Sequence, residues 1–197
     1  MTQSAPPPQA TPVPPPSSSS SLPSPRPTFH FAWSHPAHAI ALGFGAGLSR
    51  WAPGTVGTLW AWAAYALLGQ ALSAAAIATV IAVSLVVGWW ACTLTARHMD
   101  VADPSSVVWD EVVAFWIVLW LVMPAGFWAQ AVAFGLFRFY DAVKPGPVGW
   151  ADRLCKRPAG AAPHEGWGWA GFGILFDDLA AAFCTLLTIA AWRFFFF

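Results

Sequence analysis

The chain has 197 residues, 57% of them hydrophobic and only 9% charged, with a formal net charge of zero. A typical globular protein carries roughly 25% charged residues, so lipid rather than water is expected to face much of this surface. Without a net basic field, nucleic acid is excluded as a partner.

Residues 1–27 hold ten prolines and seven serines, a composition that resists core packing, and residues 1–30 read as a disordered tail ahead of one domain at 31–197. The tail lacks the apolar core of a secretory signal, so it is expected to be retained, as a spacer rather than a proline-rich ligand. From Pro36, the apolar run Ala37 to Leu48 is too brief to cross a bilayer, which takes ~20 helical residues. The loop Ser49 to Thr58 follows, where Pro53 and the glycines break regular structure and Thr55 or Thr58 is expected to cap the next helix. Arg50, Thr55, Gly57 and Thr58 could cradle a phosphate there, although the Gly43/Gly45/Gly47 series reads as close packing first.

Apolar segments follow at 56–68 and 71–96, separated by a tight break at Gly69-Gln70. A polar loop, 97–105, leads to Pro104-Ser105-Ser106, which reads as a helix start. The helix from there to Met123 carries Asp110 and Glu111 in its first turns, where the helix dipole favours anions. The pair lies about 100° apart around the axis, so the two acids cannot face one partner equally. After Pro124-Ala125-Gly126 a further helix runs from Phe127 towards Asp141, with Arg138 and Asp141 sharing a face. Pro145 turns Lys144 out of that helix. A loop with Arg153, Lys156, Arg157 and His164 then precedes Gly171 to Asp178, which opens the last apolar helix, ending at Trp192-Arg193. His98 and His164 read as interfacial, because nothing near them has metal-ligand spacing.

If 56–68, 71–96, 106–123, 127–141 and 174–192 each cross once, the tail and the loops 49–55, 97–105 and 142–173 share one side. That side holds every carboxylate cluster and the basic residues except Arg193, and the positive-inside rule makes it cytoplasmic. The fold class is therefore an all-α, multi-pass membrane bundle of about five apolar helices, some short or re-entrant. Fourteen tryptophans fit this, since many lie at segment ends (Trp51, Trp60, Trp89, Trp90, Trp109, Trp192), where indoles favour the headgroup level. Three scattered cysteines, Cys92, Cys155 and Cys184, make neither a disulfide framework nor a zinc site, and Cys92 and Cys184 read as packing residues.

Five of the nine acidic residues, Asp110, Glu111, Asp141, Asp177 and Asp178, sit beside apolar segments. A charge inside a spanning helix costs roughly 2.5–3.5 kcal/mol on insertion scales, and adjacent like charges repel unless a cation offsets them. Carboxylates kept there suggest a hard cation, most simply Mg²⁺. With Arg138, Lys144 and Arg50 nearby, the mixed site suits phosphoryl transfer. No cysteine begins a C-x₅-R loop, no D-x-D motif is present, and Lys156-Arg157-Pro158 lacks companion phosphatase motifs, so metal-assisted hydrolysis survives. Two other classes compete: an ion- or proton-coupled transporter using the acids, and a non-catalytic binder of lipid headgroups. Acids near segment ends rather than centres argue against the transporter.

Four motifs in series, Gly43-Phe44-Gly45 through Pro53-Gly54-Thr55-Val56-Gly57-Thr58, Val108-Trp109-Asp110-Glu111, Phe137-Arg138-Phe139-Tyr140-Asp141-Ala142-Val143-Lys144-Pro145 and Gly171-Phe172-Gly173-Ile174-Leu175-Phe176-Asp177-Asp178, resemble the phosphatidylglycerophosphatase A family. The resemblance covers roughly residues 36–190. It implies a Mg²⁺-dependent, all-helical enzyme of the bacterial inner membrane that removes the terminal phosphate of the phospholipid phosphatidylglycerophosphate. By motif match Asp110, Glu111, Asp141, Asp177 and Asp178 form the acidic, metal-holding site, and Arg138 and Lys144 assist with phosphate. The chain departs from the pattern at Ala114, where the family commonly has glycine, and in its proline-rich tail.

Overall fold

A computed structural model describes residues 26–154 and 166–196. The first 25 residues of the tail, and the loop residues Cys155, Lys156, Arg157 and His164, lie outside the described residues. Among the described residues there is no strand. The helices are α1 (Phe29–Trp33), α2 (Pro36–Ala41), α3 (Pro53–Ala71), α4 (Ala74–Met99), α5 (Trp109–Val122), α6 (Phe127–Val143), α7 (Pro147–Leu154) and α8 (Trp167–Phe196), with a 3₁₀ stretch at Gly43–Leu48.

The bundle is built around α5. Past Asp110 and Glu111 it is apolar on all sides, and eight of its fourteen residues are buried, including Val112, Val113, Phe115 and Trp116. A helix hydrophobic all round belongs in a core, and at about 1.5 Å per residue fourteen residues reach only ~21 Å, short of a ~30 Å hydrocarbon layer. α5 packs between α3, α4 and α8, with α6 against α8. Three indoles fix its register on the neighbours: Trp109 donates to the Ser84 carbonyl at 3.2 Å, Trp116 to Ala61 at 2.9 Å and Trp120 to Ala74 at 3.1 Å. Because Trp109 meets residue 84 and Trp120 residue 74, α5 runs antiparallel to α4. Trp109 is thus a core residue, 6% exposed, and not the headgroup-level indole its position suggested. Trp51, Trp89, Trp90 and Trp192 do face outward.

Two helices are long and apolar enough to cross a membrane: α4, with mean hydropathy 2.1 in its best window, and α8, with 1.8. Large apolar side chains such as Leu67, Val86 and Trp128 are exposed on the outer surface. The segments at α3, α5 and α6 are helical but do not reach that standard, so the five-crossing arrangement is not established by length and composition.

Several boundaries differ from the sequence reading for local reasons. Pro53 does not break α3 but opens it, since a proline at the first position forfeits no intrahelical bond. Ala52 precedes it with no side-chain cap, and Thr58 turns back to the Gly54 carbonyl at 2.9 Å, so neither Thr55 nor Thr58 is the cap. Gly69 and Gln70 remain helical, and the break falls at Leu72-Ser73, where Ser73 caps α4 through the Ala76 amide at 3.3 Å. α5 starts at Trp109 rather than at Pro104, after turns through Ser105 and Ser106. α8 begins at Trp167, four residues before Gly171. The glycine-rich opening looked like loop, but Gly171 lies where a Cβ would strike the Thr93 hydroxyl, so it permits close crossing of α8 on α4. The loop reading of 142–173 also misses α7, whose Val148 and Ala151 are buried.

At the α4 end, His38 is 3% exposed and its Nε2 lies 2.8 Å from His98 Nδ1, while its Nδ1 faces the Phe31 carbonyl at 3.1 Å. Burial, with His98 and His35 nearby, lowers the His38 pKa from its ordinary value of 6.5. His98 is therefore a packing partner that ties α2 to α4.

Candidate active site

Helix ends assemble the site. The first turn of α5 brings Asp110 and Glu111, the last turns of α6 bring Arg138 and Asp141, and Lys144 caps α6 in the left-handed region with φ of 47°. α8 adds Asp177 and Asp178 about ten residues, or ~15 Å, from its start. These two acids therefore sit a third of the way along their helix. The expectation that all the acids lie near segment ends holds for α5 and α6 and fails for α8, because α8 begins earlier than its apolar run.

Two ion-pair sets stand side by side. Arg138 Nη1 lies 3.0 Å from Glu111 Oε2 and 2.6 Å from Asp141 Oδ2, the latter the expected pair on one helix face. It also donates to Thr58 Oγ1 at 3.3 Å, and Thr58 in turn lies 3.2 Å from Glu111 Oε2. Arg138 thus joins α3, α5 and α6. In the second set Lys144 Nζ contacts Asp177 Oδ2 and lies 2.7 Å from Asp152 Oδ1 on α7. Burial alone would lower the Lys144 pKa, but the hydrogen bonds it donates to the Asp152 and Asp177 carboxylates, with their charges, outweigh it and raise the pKa above the ordinary 10.5. Lys144 leaves the helix axis as expected, but through the left-handed region (φ 47°, ψ 52°) and not through the extended conformation a following proline favours.

Between these sets lie carboxylate oxygens that no protein group satisfies. Asp110 Oδ1, Asp177 Oδ1 and Asp178 Oδ2 are buried without a hydrogen-bond partner. Asp178 is near enough to Asp141, Asp110, Asp177 and Glu111 to be repelled by each, and Asp110 is repelled by Glu111 and Asp177. Buried carboxylates clustered this way are costly without a cation to offset them. Hard, anionic oxygens lacking protein donors suit a hard divalent cation such as Mg²⁺. Among the described residues no three His, Cys, Asp or Glu side chains are already gathered as a metal site. The donor set therefore fits the ion in chemistry, with side-chain rotation needed to close on it.

The five acids named from the sequence, with Arg138 and Lys144, all come to this end of the bundle, while Arg193 lies at the other end of α8. Asp110 and Glu111 do divide their partners as their angular offset requires: Glu111 takes Arg138 and Thr58, while Asp110 keeps an oxygen free. The glycine and threonine loop divides too. Thr58 is fully buried and orients Glu111. Gly57 packs so tightly on Val108 that a Cβ would come within 2.8 Å of it, which explains that glycine by packing and leaves it no open phosphate cradle. Thr55 is half-buried on the first turn of α3, and Arg50 is exposed in a small surface groove with Arg26 and Ser105, outside both ion-pair sets. Of the glycine series expected to pack closely, Gly43 and Gly47 are buried against Val108 and the Ser106 carbonyl, whereas Gly45 has nothing within 4 Å and is required by its φ of 109°.

The sequence reading missed two participants. Asp152 sits in a stretch read as loop, and its only signal was the W-x-D-R spacing on an eight-residue amphipathic helix. Gly54 abuts the Glu111 carboxylate, where any Cβ would overlap it.

Comparison with known proteins bears on what this arrangement does. Residues 39–193 match the family model for phosphatidylglycerophosphatase A. The chain is 36% identical over 152 residues to phosphatidylglycerophosphatase A of Escherichia coli, covering 75% of this chain and 78% of that protein. It is 34% identical over 158 residues to the Haemophilus influenzae protein of the same name, covering 80% and 88%. A Bacteroides thetaiotaomicron protein provisionally named phosphatidylinositol-3-phosphatase is 34% identical over 161 residues, covering 78% and 91%. No solved structure matches the chain.

Proposed function

The chain belongs to the phosphatidylglycerophosphatase A family, and from that membership we propose that it hydrolyses the terminal phosphate of phosphatidylglycerophosphate, with Mg²⁺, to give phosphatidylglycerol and inorganic phosphate. Membership makes it a phosphatase, and its two long apolar helices support a place in the membrane. The observation that carries the reading is the trio of unpartnered buried oxygens on Asp110, Asp177 and Asp178, set between Arg138 and Lys144. A non-catalytic headgroup binder has no use for buried acids that repel a phosphate, unless a cation joins the two.

Asp110, Glu111, Asp141, Asp177 and Asp178 would hold the ion. When bound, Mg²⁺ supplies charge neutralisation on the phosphoryl oxygens and a more acidic bound water. The chain's own groups do the rest. Arg138 offers five N–H donors, and the contacts described all use Nη1, which leaves others for an anionic oxygen. Lys144, kept charged by Asp152 and Asp177, provides a second cation at the opposite edge. Hydrolysis adds water across the P–O bond: hydroxyl ends on phosphorus and the proton on the released glycerol oxygen. Both cations stabilise charge that grows on the phosphoryl group as that bond breaks. We place this site, the tail and the basic loops on the cytoplasmic side of a bacterial inner membrane, with the bundle crossing more than twice. The positive-inside distribution of Arg50, Arg97, Lys144 and Arg153 supports this against Arg193 alone.

The test is phosphate release from purified protein in detergent, offered phosphatidylglycerophosphate, phosphatidic acid and phosphatidylinositol 3-phosphate. Release from the first that EDTA abolishes and Mg²⁺ restores is the expected result. Preferential release from the inositol lipid would favour the activity named for the Bacteroides relative. Release unaffected by EDTA would overturn the metal-assisted reading.

A further inference from the structure

The seam between α6 and α8 continues past the carboxylates into an apolar cleft. Three features follow one another along the two helices. Lys144 meets Asp177 at the level of the site. One turn back along α6, the Tyr140 hydroxyl lies 2.7 Å from Thr188 Oγ1 and bridges to α8. Around that bridge and past it opens a cleft of about 1190 Å³ whose walls include Trp128, Val132 and Leu136 of α6 and Leu186, Ile189 and Trp192 of α8. Its volume exceeds the ~300–1,000 Å³ typical of small-molecule sites, so it holds a long apolar ligand rather than a few waters. The polar groups in its lining are few: Thr188 lies under the Tyr140 bridge, and Arg193 lies at the far end.

We propose that this cleft seats an acyl chain of the phospholipid whose terminal phosphate lies at the carboxylates; the proposal rests on the lipid-phosphatase reading. The same two helices that carry Asp141, Lys144, Asp177 and Asp178 form the cleft walls, so one molecule can touch both. Asp178 and Leu186 are eight residues apart, a rise of ~12 Å along α8. That interval leaves space for a headgroup of glycerol between two phosphates before the chain begins. The cleft then runs on towards Arg193 for a further rise of ~10 Å, following the direction an acyl chain takes away from the headgroup layer. Tyr140 and Thr188 stand at the junction, where the lipid passes from polar to apolar. Trp128 is 80% exposed and Val132 60%, so the cleft is open to the side and a chain enters laterally from the bilayer. Binding energy gained here, remote from the reacting phosphorus, would select a membrane lipid over a soluble phosphate ester.

Ala129 and Ala190 both line the cleft and are exposed, so a large side chain at either fills it without entering the core. The experiment compares phosphatidylglycerophosphate with long and with six-carbon acyl chains in the same detergent, using Ala129→Trp, Ala190→Trp and, as control, Ala82→Trp on the exposed face of α4. The expected result is a roughly tenfold rise in the ratio of long-chain to short-chain KM for both cleft variants and no change in the ratio for the control. An unchanged ratio in both cleft variants overturns the proposal. A second measurement is independent of turnover: a long-chain phosphatidylglycerol with a diazirine near the acyl terminus is photolysed with the unmodified protein and with Ala129→Trp. Label on residues 125–136 and 186–193 that the variant loses supports the cleft, whether or not phosphate is released. Label spread evenly over the outer helices, or a covalent dimer joined through this face, overturns it. Absence of phosphate release from either substrate with the label still in the cleft would sink the enzymatic reading alone.

Discussion

Arg138 is the side chain whose removal says most about how the site is held. It reaches Glu111 at 3.0 Å and Asp141 at 2.6 Å, with side-chain exposures of 19% for the arginine and 13% and 11% for its partners. Taking one partner from a buried ion pair costs about 3–5 kcal/mol, because the remaining charge is left without compensation. Partial solvent access discounts that to about 3 kcal/mol for Arg138→Gln. Glu111→Gln leaves Asp141 to the arginine and is expected to cost less, about 2 kcal/mol. The double variant removes both ends of one pair and should cost about 3.5 kcal/mol, a coupling of about 1.5 kcal/mol between contacting groups. Unfolding in mixed detergent micelles, followed by tryptophan fluorescence, gives the three values. Additivity within about 0.5 kcal/mol would mean the pair contributes no mutual stabilisation and would refute the account of Arg138 as the link among α3, α5 and α6.

Three further outcomes follow from the same geometry. Asp178→Asn removes a buried charge that four carboxylates repel, so its stability in EDTA should rise by about 1–2 kcal/mol while phosphate release is lost; the wild type should gain about 2.7 kcal/mol at Mg²⁺ one hundred times its Kd, a gain the variant lacks, and an Asn variant less stable in EDTA would contradict this. Asp152→Asn removes one of the two carboxylate charges that raise the Lys144 pKa. A lysine whose folded pKa is raised contributes its full ion-pair stability below the unfolded value and loses it as pH rises through the folded one, so the variant should move the alkaline limb of the pH–rate profile to lower pH and reduce kcat by about tenfold; an unmoved limb rejects Asp152 as the group that positions Lys144. Gly54→Ala drives a Cβ into the Glu111 carboxylate, which should cost about 1–3 kcal/mol in unfolding measurements and reduce phosphate release by ~100-fold through displacement, whereas Gly69→Ala, helical with nothing within 4 Å, should leave release within error and raise stability by up to about 1 kcal/mol.

Much of the site could be read without coordinates, because charged residues are rare in this chain and each must be explained. Asp110-Glu111, Arg138 with Asp141, and Asp177-Asp178 stand out against apolar neighbours. The i,i+3 relation of Arg138 and Asp141 follows from helical pitch alone, and the structure closes that pair. The glycines were harder to read. Gly54 serves Glu111, Gly57 serves Val108 and Gly171 serves Thr93, and a glycine's role depends on what approaches it from another helix. Asp152 was missed for a related reason: its partner Lys144 lies in a turn, and α7 is too short to show a clear apolar period.

The amino-acid sequence by itself determined that the protein is helical, apolar on its outer surface and acidic at a few chosen points, because composition and local periodicity need no partner to be expressed. Which apolar segment is wrapped by the others was decided by packing. α5 and α8 are both apolar strings, yet one is short and mostly buried and the other is long and partly exposed. The pairing of Lys144 with Asp152 and Asp177, the link from Arg138 to Thr58, and the cleft along α6 and α8 depend on how helices far apart in the chain cross. Distances between such helices are set by side-chain volume and shape, which a linear pattern does not encode.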